Sequence, residues 1–569
     1  MIPIHLLKNT RGNVESKILV LGDIWGTGLG PFSGPSGLEF TRILADAHIL
    51  ETNLLFASVI NSSGTDTKKF FFQTKDPNRG KLYKNTYPKP QLLSDLSKLE
   101  ELITTLNPRL IIASGNLAFW ALTNFNLIST FEGYKLPSGI SKYRGSALYS
   151  REINGKTYPL LPIYSPNQIL KAWDLRFITV HDLKARAKPL INSTNQDLWK
   201  EPKTNFIPNP EYPLAVETLN TWLTYVEQNE LWLAVDIETW KQKEIVCIGF
   251  ADDKLAICIP FFFFAPSGEV INFYTEIQEI KLIQLIQKLL SHPNIRIIGQ
   301  NYNYDYQYLD RYWAIRTPVS WDTMLAHHLM WPGTPKSLDY LSSLYCQYYS
   351  YWKDESQEWT DGINHRDLWL YNCKDTRNTY DIAQEQKVLI SQLNLTEQYQ
   401  SQLDQWQLAA KMTHYGVNFN KESRAKINQE LQEIASDLEH YLLTSMPPDL
   451  RYTSTKGCWF NSPIKTSEIF YTYLQIQPVL HKKTKRPTVD ASSFEPLKKR
   501  APWLKGVITR LELLRSIQVF RSHFLDAKLS YDKRIRCSFN VGGTDTFRWS
   551  SNSSSFDEGT NLQNIPKGD

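Results

Sequence analysis

Two carboxylates stand two residues apart in Leu233-Ala-Val-Asp236-Ile-Glu238-Thr239, at the end of an apolar run. In a strand, side chains alternate faces, so Asp236 and Glu238 point the same way. A third carboxylate closes Gly299-Gln-Asn301-Tyr-Asn-Tyr-Asp305. In Tyr371-Asn-Cys-Lys-Asp375 a phenol and a carboxylate are four residues apart, one above the other on a helix. Hard carboxylate oxygens suit divalent cations that keep part of their water shell. Four such groups and a tyrosine converging on one spot could hold two cations and cut a phosphodiester by in-line attack of water.

Elements able to position these groups are legible around them. Residues 232–237, 245–251 and 255–263 read as successive strands, 277–290 as a helix and 295–299 as another strand, with helices to about 388. Upstream, residues 17–183 alternate strands and helices in an α/β pattern. Residues 184–215 turn polar and rich in Pro, Asn and Lys, and read as a linker. Downstream, 395–445 and 505–529 have helical periodicity, the latter with Leu513, Ile517, Phe520 and Phe524 as its apolar stripe. Short strands are expected at 534–539 and 546–550, and a flexible loop at 550–555.

The 569 residues exceed one core, and 42% hydrophobic with 21% charged residues fits a water-soluble globular chain of several domains. Net charge is only +5, but Lys482, Lys483, Lys485, Arg486, Lys498, Lys499, Arg500, Lys505, Arg510, Arg515 and Arg521 crowd one region. That excess suits a polyanion, or else a solvated helix face. Six cysteines without CxxC spacing argue against zinc or iron–sulfur sites and for a reducing compartment. The most apolar stretch, 255–265, is about half of what a membrane span needs.

The three carboxylate motifs resemble the proofreading 3′–5′ exonuclease domain of family A DNA polymerases, within the DEDDy class, over residues 216–390. The resemblance implies a ribonuclease H-like fold with Asp236, Glu238, Asp305 and Asp375 as ligands of two divalent cations, Mg²⁺ or Mn²⁺. It makes Tyr371 the residue that orients the attacking water and places Asn301 near the substrate end. A phenol with an ordinary pKa near 10 is a poor base, so Tyr371 reads as a positioner. Asp322 either matches a frequent family aspartate or caps the helix after it, and His327 and His328 read as core or surface residues.

Residues 401–569 resemble the family's helical thumb and the first strands of its palm. Thr544-Asp-Thr-Phe-Arg548-Trp-Ser550-Ser551 is similar to the family's Thr-Gly-Arg-Leu-Ser-Ser segment, with Phe547 and Trp549 in place of its glycine and leucine. Asn561-Leu-Gln563-Asn564-Ile-Pro566 matches its Asn-Leu-Gln-Asn-Ile-Pro run. The resemblance implies that Thr544, Arg548, Asn561, Gln563 and Asn564 meet primer–template DNA. The family's palm aspartates and fingers would follow Asp569. The expectation is therefore no polymerisation by this chain alone, and a palm–fingers polypeptide as partner.

Residues 1–183 resemble family 4-like uracil-DNA glycosylases through Gly22-Asp23-Ile-Trp-Gly26 and Gly30-Pro31-Phe32-Ser-Gly34-Pro-Ser-Gly37. The implied pocket uses Asp23, Phe32, Asn53 and Ser165, with Asp23 where the family has glutamate and Ser165 where it has histidine. Loss of that imidazole points to a DNA-holding or uracil-sensing module rather than a working glycosylase. A glycosylase-like head joined to such a polymerase implies a phage source and hence a bacterial cytoplasm. The combined expectation is an α/β multidomain protein, residues 1–183, 216–400 and 401–569, that hydrolyses 3′-terminal nucleotides of single-stranded or primer–template DNA. A nuclease-dead DNA-binding subunit and a stand-alone exoribonuclease are the alternatives.

Overall fold

The computed structural model describes residues 3–64, 66–72, 85–123, 134–135, 139–193, 196–265, 267–354, 365–453, 455, 457–482, 484–556 and 558–565. It divides into two compact units, Met1–Thr239 with Ile245–Tyr302 and Trp313–Tyr399, and Trp240–Glu244 with Asn303–Tyr312 and Gln400–Asp569.

Two six-stranded sheets organise the first unit. In the amino-terminal one, Ile18–Ile24 runs parallel to Leu55–Ile60 and to Leu110–Ser114, which is parallel to Pro159–Ile163. Leu55–Ile60 and Leu110–Ser114 are buried at every position. Such unbroken apolar strands need cover on both faces. Helices Pro35–Asp46, Pro90–Leu106 and Asn116–Thr123 present buried leucine, isoleucine and phenylalanine side chains to this core.

The second sheet has the order Asn205–Ile207, Leu255–Pro260, Glu244–Ala251, Leu231–Trp240, Ile295–Gly299, Trp321–Asp322. Leu231–Trp240 pairs parallel with Ile295–Gly299, Leu233 opposite Ile297. Helix His365–Gln392 packs on the sheet with Tyr371, Asn372, Asp375 and Thr376 on its buried side.

The expected linker is built into the fold instead. Leu183–Ala187 forms a π-turn and Lys188–Asn192 a helix, with Leu183, Ala187 and Leu190 buried. Trp199 is 2% exposed and donates to the carbonyl of Leu148 at 2.6 Å. Asn205–Ile207 is a strand, its residues paired with Leu255–Ile257. Four scattered apolar anchors outweigh the polar composition around them.

In the second unit, helices Lys421–Thr444, Ala491–Arg500 and Lys505–Phe520 enclose Trp459, Phe470 and Phe494. The apolar stripe of Lys505–Phe520 is Ile508, Leu511, Leu514 and Ile517, and Leu513 is exposed at 47%. A π-turn, Arg521–Leu525, follows and buries Phe524 and Leu525. The wider turn breaks the single periodicity read from the sequence. Lys498 pairs with Glu495 and Glu512, Arg500 donates to the carbonyls of Gln477 and Pro478, and Arg515 to those of Val489 and Phe460. Part of the basic run is thus taken up inside the unit.

Strand Arg534–Ile535 pairs antiparallel with Val417–Asn418, and Ser538–Asn540 with Ser550–Asn552. The expected loop at 550–555 therefore begins as a strand. Among the described residues, no helix is long and apolar enough to cross a membrane.

Candidate metal centre

Strand Leu231–Trp240 carries Asp236 and Glu238, and helix His365–Gln392 carries Asp375 across from them. Ligand oxygens of Asp236, Glu238 and Asp375 all lie within 4.8 Å of one another. Asn372 donates to Asp236 Oδ2 at 2.8 Å. Burial and the neighbouring Asp375 charge push the Asp236 carboxyl up to about 7, against the opposing pull of Lys353 and Asn372. Crowded, largely buried carboxylates are the donor set that a divalent cation neutralises, so these residues fit the implied metal.

Gly249 makes the close approach of strand and helix possible. A Cβ there would meet Asn372 Oδ1 at 2.1 Å and Thr376 Cγ2 at 2.8 Å.

Two residues without a recognisable pattern join the centre. Trp352 donates its indole N–H to Asp375 Oδ1 at 2.6 Å. Lys353 Nζ reaches Asp375 Oδ2 at 2.5 Å and the Tyr371 hydroxyl at 2.8 Å. Burial and the Asp375 charge hold the Tyr371 phenol well above its usual range, so it stays protonated. That fits the positioning role expected of it.

Asp305 is buried in the first turn of helix Asn303–Trp313, in the stretch that belongs to the second unit. Its place as a fourth ligand rests on the sequence pattern. Asn301 is exposed with φ 54°, a left-handed conformation asparagine tolerates. Asp322 is 1% exposed and accepts from the backbone N–H groups of Met324, Leu325 and Tyr302 at 2.9, 3.1 and 2.9 Å. It is the cap of helix Thr323–Met330. His327, in that helix, bonds the hydroxyls of Tyr345 and Thr334, each at 2.7 Å, as a core residue.

In the second unit, the Thr544 hydroxyl receives the Arg548 N–H at 3.0 Å and donates to the Arg548 carbonyl at 2.8 Å, closing a turn that leaves Arg548 exposed. Phe547, inside the turn, has φ 60°. Asn561 caps the 3₁₀ turn Leu562–Asn564 and accepts from Ser551, while Gln563 donates to the Trp549 carbonyl at 3.1 Å. Thr544, Arg548, Asn561 and Gln563 thus gather about one hairpin. Pro566 lies outside the described residues.

The amino-terminal sheet has a cavity of about 240 Å³ at the carboxyl ends of its strands, lined by Asp23, Phe32, Asn116 and Ser165 among others. Asp23 accepts the Ala118 N–H at 2.8 Å, and burial pushes its carboxyl up to about 7. Ser165 forms a capping box with Gln168. Asn53 does not line this cavity. It is exposed in the turn Glu51–Asn53 that enters strand Leu55–Ile60, at the opposite strand end.

Residues 216–390 match the 3′–5′ exonuclease model of family A DNA polymerases. The chain is 23% identical to DNA polymerase I of Borreliella burgdorferi over 288 residues, 50% of this chain and 30% of that protein. A solved structure titled "POL domain of Pol1 from M. smegmatis complex with DNA primer-template and dNTP" aligns at 18% identity and TM-score 0.43, over 61% of this chain and 55% of that one. The matched domain implies dependence on divalent metal. Residues 216–390 thus match a 3′–5′ exonuclease domain of the family A DNA polymerase kind, and Asp236, Glu238 and Asp375 lie within the matched stretch.

Proposed function

We propose that this chain hydrolyses 3′-terminal nucleotides of DNA, as the proofreading part of a family A DNA polymerase. The observation that carries the reading is the cluster of Asp236, Glu238 and Asp375 within the matched exonuclease domain. These three residues, with Asp305 as the fourth ligand, would hold two divalent cations, of which Mg²⁺ is our choice. Cations held there would lower the pKa of a water and offset charge on the leaving oxygen. Tyr371, protonated and fixed by Lys353, aims the water. Asn372 holds Asp236 toward the cluster.

The hairpin of Thr544, Arg548, Asn561 and Gln563 would grip the DNA that feeds the site. The cavity at Asp23 and Phe32 would hold, rather than cut, an unstacked base. Ser165 is committed to its helix cap and offers no imidazole to a leaving uracil.

The test is release of mononucleotides from 3′-labelled single-stranded DNA, run with and without Mg²⁺. Metal-dependent release that disappears in Asp236→Ala supports the reading. A parent chain that binds DNA yet releases nothing with Mg²⁺ or Mn²⁺ would instead make it a DNA-binding subunit. Faster degradation of RNA than DNA would make it an exoribonuclease.

A further inference from the structure

Between helix Leu338–Tyr345 and Asp354 runs a strap without regular structure, and the amino-terminal domain holds it along its length. Arg186 donates to the carbonyls of Ser343, Cys346 and Gln347, the second at 2.7 Å. Arg144, 4% exposed and paired with Asp182 at 2.6 Å, donates to the Ser343 hydroxyl. The Ala147 N–H donates to the Tyr349 carbonyl at 2.7 Å, and the Ser146 hydroxyl accepts from the Tyr351 N–H at 3.2 Å. At the far end Lys142 and Tyr143 grip the Asp354 carboxylate at 2.8 and 3.2 Å.

Between the two anchored residues Tyr351 and Asp354 lie Trp352 and Lys353, and both reach Asp375. A carboxylate that must present one lone pair to a cation is aimed by the hydrogen bonds on its others. Lys353 also bonds Tyr371, so a single ammonium fixes the distance between ligand and water-positioner. The phenol also hydrogen-bonds the Asp375 carboxylate, so ammonium, phenol and carboxylate hold one another. Asp375 and Tyr371 are one helical turn apart, and Lys353 reaches both from outside their helix.

We propose that Lys353 is a further positioning residue of the exonuclease centre, and that the amino-terminal domain sets its place through the strap. This rests on the exonuclease reading above. The amino-terminal domain then contributes to hydrolysis through Lys142, Tyr143 and Arg186, independently of anything its cavity binds.

The test uses the full chain. Lys353→Met should lower kcat for 3′-end hydrolysis by about 10–100-fold, the usual cost of removing a partner of a metal ligand, with KM for DNA within twofold. Lys353→Arg should recover a large part of the loss, because it restores charge and donors. The pair Lys142→Met with Tyr143→Phe should lower kcat in the same sense by less. Combined with Lys353→Met it should add little, since both act through one ammonium. A Lys353→Met enzyme with kcat within twofold of the parent overturns the positioning role. So does an equal loss in Lys353→Met and Lys353→Arg with a lowered thermal midpoint, which would mark a merely structural lysine. Full additivity of the two sets overturns the link to the amino-terminal domain. Absence of metal-dependent hydrolysis in the parent chain defeats the exonuclease reading itself, and this inference with it.

Discussion

Asn372 and Asp236 are joined at 2.8 Å, amide to carboxylate, and this bond ties the helix of the third motif to the strand of the first. Asn372 is fully buried, so its amide cannot turn to water when the carboxylate moves. Asn372→Ala should lower exonuclease kcat by at least about tenfold while leaving DNA affinity unchanged. Single-turnover rates and binding to end-labelled DNA measure the two separately.

The same strand–helix approach predicts that Gly249→Ala is disabling. The added methyl would fall 2.1 Å from Asn372 Oδ1. Overpacking of this kind costs about 1–3 kcal/mol and here displaces a residue bonded to Asp236. A lowered urea midpoint together with lost activity is the expected outcome, and an unaltered variant would contradict the packing.

Tyr371→Phe keeps the ring but removes the hydroxyl that Lys353 meets. We expect kcat to fall by about 10–100-fold with little change in KM, because a positioner acts on the attack and not on DNA binding. Steady-state kinetics on a short single strand give both parameters.

Burial holds the His327 imidazole down at about 4, between the hydroxyls of Tyr345 and Thr334. Its folded pKa lies below the ordinary 6.5, so its contribution to stability is full above about 6.5 and is lost as pH falls toward 4. Asp322, pushed up to about 6 by burial, works in the opposite sense over a similar range. His327→Gln isolates the histidine. The parent should be the more stable at pH 8, and the gap should narrow by about 2–3 kcal/mol on going to pH 4. Thermal midpoints of both chains across that range decide it, and a constant gap would refute the assignment.

Phe547 stands at φ 60° in the turn closed by Thr544 and Arg548. A left-handed backbone costs a side-chain-bearing residue about 1–2 kcal/mol that glycine does not incur. Phe547→Gly should therefore raise the stability of the second unit by a few tenths to about 1 kcal/mol, after the entropy lost from the unfolded chain. Differential scanning calorimetry of the two chains measures it.

The candidate site was legible where its chemistry is local. Asp236 and Glu238 follow the two-residue period of a strand, and Tyr371 and Asp375 the four-residue spacing of a helix. Lys353 and Trp352 were not, because they reach Asp375 from 22 and 23 residues away on a strap without periodicity. Asn53 was misplaced for a related reason. A match at a single asparagine does not say at which end of a strand it lies, and the cavity opens at the other one. The α/β character of both sheets was readable from their apolar strands, but Asn205–Ile207 was hidden in a polar stretch. The stripe of Lys505–Phe520 was misread because a π-turn changes the period midway through the segment.

The short strand Asn205–Ile207 lies eleven to nine residues ahead of position 216, where the exonuclease match begins, yet it supplies the outermost rung of that domain's sheet. A fragment cut at 216 would leave the backbone of Leu255, Ala256 and Ile257 as a bare apolar border, open to pairing with another copy. Homology and foldability thus draw different frontiers here, and an expressible nuclease fragment has to start upstream of Asn205.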